Sequence, residues 1–545
     1  MGKKLDETLA SYTDSFEKSL TPESRENFLE KQRNFYALQR KEDSPELLAL
    51  IPHLRREDLS GVPDRIETEI GFSGTIPVLT HEQPTNGIAY MDIGIPVDTL
   101  PPGFYPLLPF FASAFTGMGL SAGKNGEPAL NWAEASALLA QTAGGFGTSL
   151  YSSSPVQNTK LPELLPGNLT GRDLLIIRIK MLEELIPEAV PLLFRFLENI
   201  DFSDKKRLED LLLEYKNDLG SSIAPAGNQY AISRSAAFTG RSRAIDEIWN
   251  GISQIQYIRA LCKKIQTKKA AARLAADLDE IHTRLLSAGI IINITGTSSI
   301  ITSVSAMLPR LTEPFGAPSG PDSDSSRAEP HFATLLKING KKRSRSKNPE
   351  FEFIVSSSLQ VGFAAAVLPA PPYGTFEQAV VTVLGNWLAN GVLWEQIRTT
   401  GGAYGAFAFP DSLEKLFILA TYRDPQPLRS LAVFREALTL VSGQAIDPVD
   451  LEKTIAGCYS REIQPRSPAD KGFTAFIRIL YGITDELRLQ KIKHIISVQP
   501  EDIQTSARNL FKEFDTAKQV ILGGKKQIKT AKKTEFTGNN TKITI

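Results

Sequence analysis

Cysteine is scarce in this chain of 545 residues, which contains Cys262 and Cys458 and no other. Two cysteines so far apart exclude a disulfide framework, and such scarcity is typical of proteins in a reducing compartment. No Cys-x-x-Cys pair occurs, so the usual local pattern of a structural zinc site is missing as well.

Histidine is also scarce, and no two histidines are close enough in sequence to share a helix face. The five are His53, His81, His282, His331 and His494. Neither HExxH nor HxxEH occurs, and a P-loop is absent as well. A zinc site or a Ser-His-Asp triad assembled from distant residues leaves no local pattern. We therefore expect no metal ligand in this chain and interpret the histidines as surface or structural residues.

An excess of charge is missing too, since 61 basic residues balance 61 acidic ones. This gives no electrostatic reason to expect binding to nucleic acid or to an anionic membrane. The first residues, MGKKLDETLASYTDSFEKS, contain no apolar core of a signal peptide. Three nearly uncharged stretches, 98–123, 285–309 and 353–376, are interrupted by Pro, Gly, Ser or Thr, which favours buried core over spanning helices. We expect a cytoplasmic protein without membrane or nucleic-acid partners.

Helix and strand patterns are both present along the chain. Thr21-Pro22-Glu23 is a helix start signal inside a predicted helical hairpin over residues 1–62. Beyond it, short apolar or alternating runs are interspersed with amphipathic helices. The pattern predicts an α+β protein in which antiparallel sheets pack with helices, with α+β domains at 63–315 and 351–545.

Residues 316–350 are predicted to form a polar, basic interdomain loop. Its run KKRSRSK at 341–347, like KKQIKTAKK at 525–533, carries the positive charge that nucleic-acid binding requires. The neutral overall charge and the lack of interleaved aromatic residues favour solvated segments instead.

An internal repeat indicates that the two domains are homologous. TAGGFGTSLYSSS at 142–154 and TTGGAYGAFAFPDS at 399–412 each follow a predicted helix, begin near a pair of glycines and continue as a strand. Only the second copy is accompanied by Arg398 and Tyr404.

The stretch IRTTGGAYGAFAF, residues 397–409, contains the candidate chemistry. A helix predicted over 376–396 ends near Arg398. Gly401 and Gly402 then allow a sharp turn, because glycine tolerates backbone conformations closed to other residues.

The strand that follows is predicted to alternate between two faces. Phe407 and Phe409 share one face, which we assign to the core, while Tyr404, Ala406 and Ala408 share the other. The small alanines would leave room for a ligand to lie across that second face.

A guanidinium and a phenol that converge on one space can bind a carbonyl oxygen that becomes negative, because both are donors at neutral pH. Such preorganised donors stabilise an oxyanion by roughly 3–4 kcal/mol. The local alternative is structural: Tyr404 forms a hydrogen bond within the core and Arg398 caps the helix.

The run LWEQIRTTGGAYGAFAF resembles the C-terminal half of presequence proteases, a branch of the pitrilysin-type inverted-zincin metallopeptidases. The segments TEIGFSGTIPVLTHEQPTNGIAY, LATYRDPQPL and LYGITDELRLQK follow the family's order as well. The resemblance extends over nearly the whole chain, from about residue 5 onward.

The resemblance implies that four α+β units form a two-part shell whose other half carries HxxEH and zinc. Arg398 and Tyr404 match the arginine and tyrosine that reach the substrate carbonyl, and we assign Gly401, Gly402 and Ala403 to substrate binding. The chain itself is expected to hold no cofactor. Its expected partners are an HxxEH-containing half, either a separate chain or a missing part of the same protein, and unfolded peptides.

Two functions follow as hypotheses. The first is the non-zinc half of a peptide-degrading metalloendopeptidase, inactive alone. The second is a non-catalytic peptide-binding or structural subunit on the same fold. An independent hydrolase with an unrecognised site is a third possibility, which chelator-resistant activity of the isolated chain would reveal.

Overall fold

The computed structural model describes residues 2–319, 351–525, 527 and 541–545, apart from residues 42, 49, 53, 124, 125, 157–168, 170 and 445. The basic run at 341–347, most of the lysine-rich tail, His53 and His331 lie outside the described residues. The chain divides into two compact units, Met1–Leu54 and Arg55–Ile545.

The first unit consists mainly of two consecutive helices, α1 (Gly2–Ser19) and α2 (Pro22–Arg40), followed by the short α3 (Pro45–Leu48). The predicted start signal is confirmed, because the Thr21 side chain accepts a hydrogen bond from the backbone N–H of Ser24. The predicted pair of helices is therefore present between residues 2 and 40.

The second unit contains two six-stranded sheets. The first sheet has the strand order β1-β2-β8-β3-β6-β5. Its strands are β1 (Glu69–Ser73), β2 (Ile76–Glu82), β3 (Ile88–Pro96), β5 (Gly145–Tyr151), β6 (Leu174–Leu182) and β8 (Ile291–Gly296), while β4 (Gly119–Leu120) and β7 (Ile200–Asp201) form a separate short ladder. All neighbours in the six-stranded sheet are antiparallel except β2 and β8, which are parallel.

The second sheet has the order β11-β12-β10-β13-β9-β14. Its strands are β9 (Phe351–Val355), β10 (Phe363–Pro369), β11 (Gly405–Asp411), β12 (Leu416–Tyr422), β13 (Lys518–Gly523) and β14 (Thr541–Thr544). Strand β9 runs parallel to both of its neighbours, and the other pairs are antiparallel. Both sheets are thus mixed, although antiparallel pairs dominate.

Five strands of the two sheets correspond in order and direction. Reading from one edge, β5-β6-β3-β8-β2 in the first sheet matches β11-β12-β10-β13-β9 in the second. In both sets the first three pairs are antiparallel and the fourth is parallel. The internal repeat is therefore structural, and the chain comprises two homologous α+β domains. The exact domain boundaries stay a prediction.

Helices cover the sheets. In the first domain they are α4 (Leu108–Phe115), α5 (Trp132–Thr142), α6 (Ile186–Asn199), α7 (Lys205–Ser222), α8 (Gly227–Ala236), α9 (Arg241–Asn250), α10 (Ile252–Lys264), α11 (Lys268–Ser287) and α12 (Ser298–Leu311). In the second they are α13 (Phe376–Asn390), α14 (Pro427–Gly443), α15 (Pro448–Glu462), α16 (Pro468–Leu480), α17 (Asp485–Ser497) and α18 (Pro500–Phe514). Helices α12 and α17 and strands β13 and β14 were not predicted from the sequence.

Each domain contributes a helix to the other domain's sheet. Tyr230 and Ala231 of α8 pack in one cluster with residues of the second sheet, and Phe476 and Leu480 of α16 pack against the first sheet. These crossings bury apolar surface from both domains, which stabilises their mutual arrangement. Among the described helices, none is both long and apolar enough to span a membrane.

Candidate functional site

Arg398 lies in a π-helical turn, not at the end of the long helix predicted over 376–396. Helix α13 ends at Asn390, because Gly391 leaves the helical conformation with ψ of −105°. A π-helix then spans Trp394–Thr399. Isolated π-helical turns are rare and occur frequently at functional sites.

The two glycines close this turn for different reasons. Gly402 has a φ of +77°, which side-chain-bearing residues rarely adopt. Gly401 is buried, and a Cβ placed on it would lie 2.5 Å from the carbonyl oxygen of Ile397. The N–H groups of Gly402 and Ala403 donate to the carbonyls of Arg398 and Ile397, both at 3.0 Å.

The N–H groups of Gly402 and Ala403 are therefore engaged within the turn. Ala403 is also buried. The structure gives Gly401, Gly402 and Ala403 a clear part in shaping the turn, while their assignment to substrate binding stays a prediction.

Strand β11 shows the predicted alternation, but the predicted core face is wrong. Phe407 and Phe409 are 36% and 39% exposed, whereas Ala406 and Ala408 are only 8% and 5% exposed. Helix α13 approaches so closely that a Cβ on Gly385 would lie 2.8 Å from the Ala408 carbonyl oxygen. Only small side chains fit on this face of β11, so the phenylalanines point away from the helices.

The room expected beside Ala406 and Ala408 is consequently filled by protein. Tyr404, one residue before the strand, escapes this packing and is 66% exposed. Its N–H donates to the carbonyl of Tyr422 at 3.0 Å, and the two tyrosine rings meet edge to face with centroids 5.7 Å apart.

Arg398 and Tyr404 are brought together at the surface. The guanidinium carbon of Arg398 lies 6.0 Å from the centre of the Tyr404 ring and 3.8 Å from the centre of the Trp394 ring. Trp394 is 43% exposed. Stacking on an aromatic ring restrains the guanidinium without using its N–H donors. Trp394 was missed by sequence reasoning, although its position four residues before Arg398 places both on one helix face.

Arg429 fixes the π-helical turn from the neighbouring helix. Its Nη1 donates to the carbonyl of Gln396 at 2.8 Å, and Gln426 Nε2 donates to the carbonyl of Gly401 at 3.4 Å. Both residues lie at the beginning of α14. The position of Arg398 therefore depends on contacts from a helix that follows it in sequence.

The far end of strand β11 is attached to the first domain. Glu414, in the turn between β11 and β12, accepts hydrogen bonds from Ser153 Oγ at 2.8 Å and from the Ser154 N–H at 2.7 Å. Ser242 Oγ donates to the same carboxylate, and Arg243 pairs with Asp411. These contacts hold the strand that follows Tyr404 against the first domain.

The described residues do not fit a zinc site. No group of three or more His, Cys, Asp or Glu side chains among them could hold a metal ion. His81 is fully buried and contacts Asn293 Oδ1 at 2.8 Å, and His282 contacts the Leu197 carbonyl at 2.6 Å. Burial lowers the pKa of both histidines, which fits neutral structural residues.

Two family models match the chain. One, described as associated with peptidases of family M16, subfamily C, matches residues 1–261, and the PreP C-terminal domain matches residues 360–522. Together they cover more than half of the sequence and both halves of the fold. The chain belongs to the presequence protease family. It corresponds to the C-terminal half of those M16 peptidases.

Curated presequence proteases match at modest identity over most of this chain. Presequence protease 1, chloroplastic/mitochondrial, of Arabidopsis thaliana is 24% identical over 484 residues, which are 88% of this chain and 40% of that protein. The mitochondrial presequence protease of Saccharomyces cerevisiae is 26% identical over 540 residues, or 94% of this chain and 50% of that protein. The chain thus spans about half the length of these relatives.

Solved structures of pitrilysin-like proteins share the fold. A peptidase M16 inactive domain from Pseudomonas fluorescens superposes with a TM-score of 0.54 at 12% identity, covering 85% of this chain and 98% of that one. Pitrilysin superposes with a TM-score of 0.51 at 14% identity, covering 91% of this chain and 48% of that one. This presequence protease homologue therefore has the α+β fold expected from its sequence.

Proposed function

We propose that this chain is the non-zinc, substrate-binding half of a peptide-degrading metalloendopeptidase. In this proposal Arg398 and Tyr404 donate hydrogen bonds to the carbonyl oxygen of a peptide, and a partner half with HxxEH carries the zinc and the general base. The observation that supports it most directly is the exposed placement of both side chains, with the Arg398 guanidinium carbon 6.0 Å from the Tyr404 ring.

The arrangement suits stabilisation of an oxyanion. A donor held in place before the reaction costs no reorganisation when negative charge develops on the carbonyl oxygen. Trp394 restrains the Arg398 guanidinium from one side, and Tyr422 contacts the Tyr404 ring. The alternative in which Tyr404 is buried and satisfied within the core does not suit its 66% exposure.

The surroundings also favour an extended peptide as the ligand. Strand β11 lies at the edge of its sheet, with β12 as its paired neighbour among the described strands. An edge strand presents unpaired backbone groups that an extended segment can pair with. The partly exposed Phe407 and Phe409 lie along the same strand and provide apolar surface.

Reconstitution with an HxxEH half tests the proposal. We expect Tyr404→Phe and Arg398→Gln each to lower kcat for peptide cleavage by about 100-fold to 1,000-fold, because each removes one oxyanion donor. Tyr90→Phe and Arg508→Gln, which remove the same groups elsewhere, serve as matched controls and should retain activity. The isolated chain should cleave no peptide and retain no stoichiometric zinc after purification.

Two results would contradict this proposal. One zinc per isolated chain would place a metal site where the described residues offer none. Activity in the reconstituted pair that is unchanged by Tyr404→Phe would favour the second hypothesis, a peptide-binding or structural subunit on the same fold.

A further inference from the structure

A second arginine lies at the end of strand β12, beside Tyr404. Gly405 pairs with Tyr422 at the end of the antiparallel ladder, so Tyr404 directly precedes β11 and Arg423 directly follows β12 at the same end of the two strands. Arg423 is exposed, and its guanidinium carbon lies 5.3 Å from the centre of the Tyr422 ring. The Tyr422 ring in turn contacts the Tyr404 ring. Arg423 therefore belongs to the same surface as the Arg398–Tyr404 pair.

The backbone at Arg423 is in an unfavourable conformation. Its φ of +49° lies in the left-handed region, which costs a residue with a side chain about 1–2 kcal/mol. Non-glycine residues in such conformations persist only where neighbouring contacts impose them, and they cluster at binding and active sites.

The contacts that impose this conformation turn the adjacent carboxylate away from Arg423. Asp424 is almost fully buried, and its backbone exchanges two hydrogen bonds with Gly362, both at 2.7 Å. Its Oδ1 accepts from the N–H of Gln426 at 2.7 Å. The acidic residue adjacent to Arg423 in sequence is thus held inside the protein, while Arg423 remains at the surface.

Arg423 and Arg398 consequently have no carboxylate partner within ion-pair distance among the described residues. The Arg398 guanidinium stacks on the Trp394 ring and the Arg423 guanidinium lies near the Tyr422 ring, and neither donates a hydrogen bond to a described residue. Glu395 is exposed on the π-helical turn near Arg398 and forms no ion pair with it. The exposed surface around Tyr404 therefore presents two cations without an ion-pair partner among the described residues, one 6.0 Å from the Tyr404 ring and the other 5.3 Å from the neighbouring Tyr422 ring.

We propose that Arg423 binds a carboxylate of the peptide whose carbonyl lies at Arg398 and Tyr404, and thereby favours substrates that carry an acidic group near the cleaved bond. This inference rests on the proposed function, since it requires a peptide across Tyr404. A planar guanidinium with free donors matches a carboxylate through two parallel hydrogen bonds. The carboxylate can come from an Asp or Glu side chain or from the end of the peptide.

A binding experiment on the whole chain distinguishes these sources. Four fluorescent peptides of one sequence would carry Glu or Gln at a central position, each with a free or an amidated C-terminus. Their affinities would be measured by fluorescence anisotropy at about 0.1 M salt, where the Debye length is about 10 Å. The variants are Arg423→Gln and Arg423→Glu, and Arg508→Gln is the control that removes one exposed positive charge elsewhere.

We expect one carboxylate to strengthen binding about threefold to fivefold, the upper end for an exposed ion pair. The ratio of the affinities with and without that carboxylate should fall to about one in Arg423→Gln and below one in Arg423→Glu. It should stay unchanged in Arg508→Gln. A Glu/Gln difference identifies a side-chain carboxylate, and a free-acid/amide difference identifies the peptide terminus.

The inference is overturned if the ratio survives in Arg423→Gln, if the four peptides bind the unmodified chain equally, or if none of them binds. These outcomes are separate from failure of the proposed function, which is measured by turnover. A carboxylate preference that depends on Arg423, together with turnover unaffected by Tyr404→Phe, would leave a peptide-binding surface without a role in catalysis.

Discussion

Tyr404 and Arg423 show how much of this site depends on single side chains at the ends of two strands. Both lie just outside the paired residues of the β11–β12 ladder. Tyr404 is exposed because the turn at Gly402 precedes it, and Arg423 because its own backbone is left-handed. The two groups are therefore positioned by the backbone at the strand ends rather than by burial of their own side chains.

The left-handed backbone of Arg423 leads to a stability prediction. We expect Arg423→Gly to be about 1 kcal/mol more stable than Arg423→Ala, because glycine adopts a φ of +49° without the strain of a Cβ. Urea denaturation followed by circular dichroism measures the difference.

Arg508 in helix α18 provides the comparison site, since a helical backbone reverses the preference. There the glycine variant should be less stable than the alanine variant by about 1 kcal/mol. Equal stability of the two Arg423 variants would show that the conformation of this residue relaxes in solution.

At the scale of elements, two helix–sheet crossings join the domains through glycines. A Cβ on Gly227 of α8 would lie 2.3 Å from the Phe363 ring, and a Cβ on Gly472 of α16 would lie 1.8 Å from Thr295 Oγ1. In each case a glycine lets a helix of one domain lie directly on the sheet of the other domain.

These crossings predict the effect of adding one methyl group. Gly227→Ala and Gly472→Ala should each lower the free energy of unfolding by about 1–3 kcal/mol, because the helix must shift away from a tightly packed sheet. Chemical denaturation measures both effects.

Gly220→Ala in helix α7 is the matched control. A Cβ there meets no atom within 4 Å, so alanine should be neutral or stabilising by up to about 1 kcal/mol. If Gly227→Ala and Gly472→Ala were as stable as Gly220→Ala, the two helices would not pack on the sheets as closely as the structure indicates.

At the scale of the whole molecule, the contacts of Glu414 connect the first domain to the turn between β11 and β12. Burial acts to raise the pKa of Glu414, but hydrogen bonds from Ser242 and Ser154 and the nearby Arg243 outweigh it and lower that pKa overall. A carboxyl whose pKa is lower in the folded state contributes stability above its unfolded pKa, and this contribution is lost as the pH falls through the folded value.

We therefore expect Glu414→Gln to lower the melting temperature at pH 7 and to weaken the loss of stability on acidification below about pH 4.5, the usual range of a glutamate. Melting curves between neutral and acidic pH measure both effects. Glu377→Gln, at an exposed position, is the control and should follow the unmodified protein. If the melting temperature of Glu414→Gln changed with pH in the same way as that of the unmodified protein, the assigned role of this carboxylate would be contradicted.

The order of elements and the local turn chemistry could be predicted from the sequence, because they depend on neighbours along the chain. Examples are the Thr21 cap, the turn at Gly401 and Gly402, and the internal repeat, which corresponds to two sheets with matching strand order. The family resemblance was visible in the same way, since its segments occur in order. The proximity of Arg398 and Tyr404 also followed from the short turn between them.

Only the tertiary structure decided which face of β11 is buried. An alternating strand of alanines and phenylalanines satisfies the pattern in either orientation, and the choice was made by the close approach of α13 at Gly385. The same holds for Arg423, whose exposure depends on Gly362, the residue just before β10, binding the backbone of Asp424. Sequence alone determined what chemistry is present, and packing between distant segments determined which side chains remain free to use it.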